Sequence, residues 1–147
     1  LKLKMLIILI GNIATGKTTY RKEKFKNKEI IICPDEWHQL SSEDREEKFY
    51  SELHKHLSKG EMVVIDGNNI CRNSRKKYKS YARTYGQKLV AIDFGQGNDE
   101  TLNRPLSQKP QGEHSKWVIS HEGYLSRYEK PSLEEGFNCI LDAINYK

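Results

Sequence analysis

Long apolar runs, paired cysteines and, across one central stretch, acidic residues are what this 147-residue chain lacks. No run approaches the roughly 20 apolar residues of a membrane-spanning helix, which excludes that class. Lys2 and Lys4 ahead of Met5-Leu6-Ile7-Ile8-Leu9-Ile10 imitate a signal peptide, but the run is too short for its apolar core. Cys33, Cys71 and Cys139 are odd in number, widely spaced and in no C-x-x-C pair. That excludes a disulfide framework and reads as reduced thiols of a cytoplasmic protein. There is no internal repeat, no low-complexity tract and no sign of lipidation, so the length allows a single domain, 1–147. A hydrophobic share of 36% and a mean hydropathy of −0.80 suit a soluble globular domain. The net charge of +5 and pI near 9.0 permit an anionic partner without requiring one.

Between Asp66 and Asp93 no acidic residue occurs, yet Arg72, Arg75, Lys76, Lys77, Lys79, Arg83 and Lys88 do. On a helix, Arg75, Lys79 and Arg83 recur at i, i+4 and i+8 as one basic stripe. Such a stripe either tracks a phosphodiester backbone or is a solvated helix face. Tyr78, Tyr81, Ala82 and Tyr85 then line the opposite, buried face, the tyrosines as core more than as base-stacking platforms.

What is present is a complete phosphate-binding loop, Gly11-Asn12-Ile13-Ala14-Thr15-Gly16-Lys17-Thr18, matching G-x-x-x-x-G-K-[ST] at every fixed position. The apolar run Met5–Ile10 before it reads as a buried parallel strand, and Thr18–Phe25 after it as a helix. Backbone N–H groups of such a turn, with the positive end of the helix they feed, wrap a polyphosphate over Gly11–Thr19. Lys17 is the side chain to neutralise the β- and γ-phosphates, and the Thr18 hydroxyl the one to ligate Mg²⁺.

Strand and helix signals alternate onward. Glu29–Cys33, Met62–Asp66 and Lys88–Phe94 read as strands, and the alternation of Phe137, Cys139, Leu141 and Ala143 as a last one. Ser41 or Ser42 caps a helix carrying Phe49, Leu53 and Leu57 on one face, and Asn73 or Ser74 starts the basic helix. Asn98 caps a short helix to Arg104 that Pro105 limits or bends. Residues 104–116 read as a mobile lid loop, followed by a helix from Trp117 to Tyr128. This pattern predicts an α/β fold with a doubly wound sheet, right-handed crossovers and helices on both faces.

Open sheets of this kind hold ligands beyond the carboxyl ends of their strands. The second strand runs into Cys33-Pro34-Asp35-Glu36-Trp37-His38, where Asp35 either takes the proton from an attacking hydroxyl or caps the next segment. The third runs into Asp66-Gly67-Asn68-Asn69. Beside the first strand, Asp66 either holds Mg²⁺ through water or fixes the loop. Arg104, with Lys109 and Lys116, would bring cations onto a transferring phosphoryl group as the lid closes. His54 and His56, His121-Glu122 and His114 make no recognisable metal site, and no cysteine or serine has a nucleophile's setting.

Ile32-Cys33-Pro34-Asp35, then Ile65-Asp66-Gly67-Asn68-Asn69 with Arg75 and Tyr78, then Tyr128-Glu129-Lys130-Pro131-Ser132-Leu133-Glu134-Glu135-Gly136-Phe137 resemble, in order, segments of polynucleotide 5′-hydroxyl kinases. The likeness runs from the phosphate loop to about Leu141 and is strongest to the kinase domain of the polynucleotide kinase–phosphatases. It implies a P-loop kinase fold with sheet order 2-3-1-4-5. The implied reaction moves the γ-phosphate of ATP, or another NTP, with Mg²⁺, to the 5′-hydroxyl end of DNA or RNA. Asp35 matches the general base and Arg104 the lid arginine, beside Lys17. His38, Asp66, Asn69 and Arg75 fall on the acceptor side. Pro34 and His38 stand where basic residues often occur, Asn68 stands where a threonine is usual, and the lid has no second arginine. No D-x-D-x-T motif is present, so the resemblance implies a stand-alone kinase without the 3′-phosphatase half; a functional link to a ligase or phosphatase stays open, and no membrane partner is expected. The rival readings are a P-loop kinase for a small metabolite, nucleoside or antibiotic, and a non-catalytic ATP-binding module.

Overall fold

The computed structural model describes residues 4–26, 29–144 and 146, so Lys2 lies outside the described residues. Among them no helix is long and apolar enough to cross a membrane. Strands β1 (Met5–Ile10), β2 (Ile30–Ile32), β3 (Val63–Asp66), β4 (Lys88–Asp93) and β5 (Cys139–Asp142) form one sheet in the order β2-β3-β1-β4-β5, with every pairing parallel. The connections carry helices α1 (Lys17–Lys24), α2 (Ser42–Ser58), α3 (Arg72–Thr84), α4 (Asp99–Leu106) and α5 (His114–Arg127).

The apolar run of β1 is buried because a central parallel strand is covered on both faces. Leu6, Ile8 and Ile10 face the larger core with Phe49, Leu53 and Leu57 of α2 and Tyr78 and Ala82 of α3. Ile7 and Leu9 face the smaller one, with Phe94 and the Tyr20 and Phe25 rings. The α2 stripe is as the spacing predicts, and the Ser41 hydroxyl accepts from the Asp44 N–H at 3.1 Å as its cap.

Register then places the chemistry. Leu9 pairs with Asp66 and Ile10 with Asp93, so β1, β3 and β4 end level with one another. The phosphate loop leaves β1 between the other two, with Gly11 N–H donating to the Asn68 carbonyl and Asn12 N–H to that of Gly95, both at 3.0 Å.

Two segments differ from expectation. The polar stretch 104–116 is not one loop: α4 runs through Leu106, a one-turn helix spans Gln111–Glu113, and α5 starts at His114. Pro105 lies inside α4 and the helix ends one residue later, the limit that a proline's missing N–H and its ring's clash with the preceding turn impose. In β5 the predicted alternation splits. Ile140 packs on the larger core, while Cys139 and Leu141, on the other face of this edge strand, are exposed.

Candidate active site

The phosphate loop has the backbone its sequence requires. Gly16, at φ 97°, precedes the first turn of α1 in a left-handed conformation. A Cβ at Gly11 would stand 2.8 Å from the Phe94 Cβ, so only glycine lets β1 turn there. Ala14 at the apex also has positive φ, 58°, a strained geometry typical of ligand-binding loops. The wholly buried Asn12 amide donates to the carbonyls of Gln96 (2.8 Å) and His121 (3.0 Å), tying the loop to the β4–α4 connection and to α5.

Lys17 is folded onto the loop, its Nζ donating to the carbonyls of Gly11 (2.6 Å) and Asn12 (2.5 Å) and to Asn68 Oδ1 (3.2 Å). Burial pulls its ammonium down to about 8, against the Asp66 and Asp35 carboxylates, which pull it back up. Ionised Lys17 therefore costs folding stability, fully below pH 8 and progressively less toward 10.5, its ordinary value. Phosphate oxygens favour the charged form, so nucleotide binding should draw in a proton above pH 8. ATP affinity is expected to fall by up to ~10-fold per unit between about pH 8 and 10. Calorimetry in buffers of different ionisation enthalpy reads the proton, and Lys17→Met should abolish its uptake.

Asp66, 3% exposed, accepts from the Thr18 hydroxyl at 3.2 Å. Burial raises its pKa, while Arg21, Lys17 and Thr18 oppose the rise. Arg21 is a residue the sequence reading missed. Its Nε lies 3.0 Å from Asp66 Oδ2 without pointing its N–H at it, a Coulombic contact, while Nη2 bonds Glu36 Oε1 at 2.6 Å. It therefore ties the end of β3 to the one-turn helix Pro34–Glu36 that carries Asp35. The signal was its place one turn after Lys17 on α1; its partners, distant in sequence, gave none. Arg21→Met should cost about 3 kcal/mol, the low end for breaking a buried pair because Lys17 and Thr18 still face Asp66. Urea titration measures it, and a loss below ~1 kcal/mol would mean that Asp66 is in effect solvated.

Thr18 and Asp66 are adjacent hard-oxygen donors, the set Mg²⁺ takes when waters and phosphate oxygens fill its other positions. Among the described residues no group of three or more His, Cys, Asp or Glu side chains could hold a metal ion.

Asp35 is exposed and stands at a junction. On one side it lines a cleft of about 510 Å³ with Lys17, Thr18, Asp66, Asn68 and Arg104. On the other it lines a pocket of about 470 Å³ between α2 and α3, with Arg45, Gly67, Tyr50 and Lys77. His38 lines the cleft and not this pocket. Arg104, on α4 and not on a loop, borders the cleft and a further cavity of about 780 Å³ beside Ala14, Thr15, Gly95, Lys130 and Tyr146. Thr19 also faces the cleft. Burial pushes the Cys33 thiol up to about 12, so it is no nucleophile.

Arg75 is not part of an exposed stripe. Its side chain is 0% exposed, with Nε and Nη2 on the two Glu135 oxygens (2.8 and 3.1 Å) and Nη1 on the Asn69 carbonyl (2.9 Å). The returning segment around Leu133–Glu135 covers this face of α3, and Lys79 packs under Gly136. Asn69, at φ 46°, donates to the Leu9 carbonyl and accepts from Tyr78 Oη. Asn69 thus lines the α2–α3 pocket, and Arg75 braces its turn from behind.

No protein-family model and no curated protein matches the chain. Solved structures do. A fungal RNA kinase is 18% identical, with a TM-score of 0.71 over 96% of this chain and 74% of its own. Chaetomium thermophilum Kti12, in complex with ADP-AlF3, is 16% identical with a TM-score of 0.66, over 95% of this chain and 88% of its own. A gluconokinase from Sinorhizobium meliloti 1021 is 17% identical, with a TM-score of 0.63 over 100% of this chain and 86% of its own. At these identities the likeness is one of fold: an α/β domain built on a parallel five-stranded sheet in the order β2-β3-β1-β4-β5.

Proposed function

We propose that this chain is a polynucleotide 5′-hydroxyl kinase, transferring the γ-phosphate of ATP to the 5′-hydroxyl end of DNA or RNA. The observation that carries the reading is the position of Asp35, shared between the phosphate cleft and the α2–α3 pocket. A hydroxyl presented from the pocket meets a carboxylate before it meets the phosphate.

The hydroxyl oxygen bonds to the γ-phosphorus, the bond to the bridging oxygen of the ADP leaving group breaks, and the hydroxyl proton passes to Asp35. Lys17 leaves its loop carbonyls for phosphate oxygens, and the loop amides and Arg104 stabilise the charge spread over the transferring group. Mg²⁺, held through Thr18 and Asp66, would supply further charge neutralisation on the phosphates. Arg104 and the residues to Lys116, on the α4–α5 pair, act as the lid.

A small anionic acceptor is the second reading, favoured by the modest size of the pocket and its Arg45 and Lys77 cations. γ-Labelled ATP offered to 5′-hydroxyl DNA and RNA oligonucleotides, with Lys17→Ala as control, separates the two. Label on the 5′ end that the control lacks supports the kinase and ranks DNA against RNA. ATP binding without any labelled oligonucleotide would turn the reading to the small acceptor.

A further inference from the structure

Resting on the kinase reading, we propose that the seam between α2 and α3 is a track for the downstream nucleotides of a single-stranded acceptor. Of the α3 tyrosines expected in the core, Tyr78 is there, 1% exposed, but Tyr81 and Tyr85 are half-buried at its margin. With Tyr50 of α2 they form a row. Tyr50 and Tyr81 have ring centroids 6.1 Å apart and planes inclined by 22°, and Tyr81 and Tyr85 lie 6.4 Å and 11° apart. Spacings this large mean strongly offset rings, so neighbours in the row cover little of one another's faces. His54 closes the far end, hydrogen-bonded through Nδ1 to Tyr85 Oη.

The near end opens into the pocket that holds Asp35, where Tyr50 is a wall and Arg45 and Lys77 are the cations. Lys77 Nζ lies over the Phe49, Tyr50 and Tyr78 rings at 5.0–5.8 Å, and Glu46 is the carboxylate that faces it. Cations at the mouth of a pocket and aromatic rings spaced beyond it fit one ligand chemistry. A flexible strand places phosphates on the first and stacks successive bases on the second, whatever their sequence. A small metabolite would fill the pocket and leave the row unused. A blunt duplex covers its own base faces, so the track selects single-stranded or overhanging 5′ ends.

The test compares a nucleoside 3′-phosphate with 5′-hydroxyl single strands of increasing length and a blunt duplex. Apparent KM should fall with length up to about four nucleotides and then level off. The pair Tyr81→Leu and Tyr85→Leu, which keeps apolar bulk, should raise KM for the longer strands about tenfold, as expected for lost base stacking. It should leave KM for the mononucleotide and for ATP unchanged. The Tyr→Phe pair should behave as wild type, and Lys77→Gln should flatten the log–log salt dependence by about 0.7. Anisotropy of a 3′-labelled hexanucleotide reads the same binding without turnover, and thermal melting checks that each variant is folded.

Labelled products whose KM is independent of length, or shifts equally for all acceptors in the leucine pair, would overturn the track and leave the kinase reading standing. Hexanucleotide binding that the leucine pair loses, with no product labelled by wild type, would sink the kinase reading and keep the track. Neither binding nor label would remove both.

Discussion

Asp35→Asn is expected to lower turnover roughly 10²–10⁴-fold while nucleotide binding survives, the range for removing a positioned general base. The substitution keeps the shape of the side chain and removes its ability to accept a proton. It also spares the surrounding contacts: Arg21 reaches Glu36 and not Asp35, and Lys17 is held by loop carbonyls and Asn68. Glu36→Gln is the control, since it alters the neighbouring carboxylate and the Arg21 bond without touching the proposed proton acceptor. The measurement is kcat at saturating acceptor and ATP, with ATP affinity titrated separately. Phosphoryl transfer through a loose transition state needs little help from a base when positioning and charge stabilisation are strong. Turnover within a few-fold of wild type would therefore remove Asp35 from the chemistry and leave Lys17, the loop amides and Arg104 to account for the rate.

Arg75→Met should destabilise the fold by about 3–5 kcal/mol, because removing one partner of a buried pair strands the other charge. The guanidinium is fully buried against a Glu135 side chain that is 13% exposed, and it makes three bonds that methionine cannot replace. Among the described residues, Glu135 then keeps the Ser132 N–H, at 2.9 Å, as its donor. Adding Glu135→Gln should restore much of the loss, since the uncompensated carboxylate disappears with it. Equilibrium denaturation of the wild type, both single variants and the double variant gives the coupling directly. A single-variant loss under ~1 kcal/mol would show that water reaches Glu135 once the arginine is gone. The Asn69 turn that Arg75 braces lines the α2–α3 pocket, so on the proposed function a weaker acceptor KM should accompany the loss.

Arg75 and Lys77 show where a sequence stops being legible. Both sit in the same acid-free stretch, and helical spacing groups Arg75 with Lys79 and Arg83 as one exposed stripe. Spacing assigns a residue to a helix face but does not say what covers that face. Glu135 reaches Arg75 across sixty residues of chain, through a segment with no helical or strand period of its own. Lys77, off the stripe, proves to line the α2–α3 pocket with Arg45. The same limit applies to Tyr81 and Tyr85, whose period marks an apolar face but not how far the core extends under it. It applies to Arg21 as well, whose partners lie on two other connections.

The phosphate loop, the extent of β1, the core stripe of α2 with its Ser41 cap and the alternation of strand and helix were determined by the sequence alone. Each depends on backbone conformation or side-chain period within a few residues, and so does the presence of a carboxylate after β2 and at the end of β3. Chain order and right-handed crossovers carried that local pattern to a parallel α/β sheet, and the family resemblance supplied its strand order. Only the tertiary structure decided which charges meet. It buried Arg75 on Glu135, placed Arg21 between Asp66 and Glu36, split 104–116 between two helices and left Asp35 facing two cavities. Those outcomes follow from burial and from contacts between distant segments, where desolvation sets whether a charge is paired or free, and no local pattern encodes that.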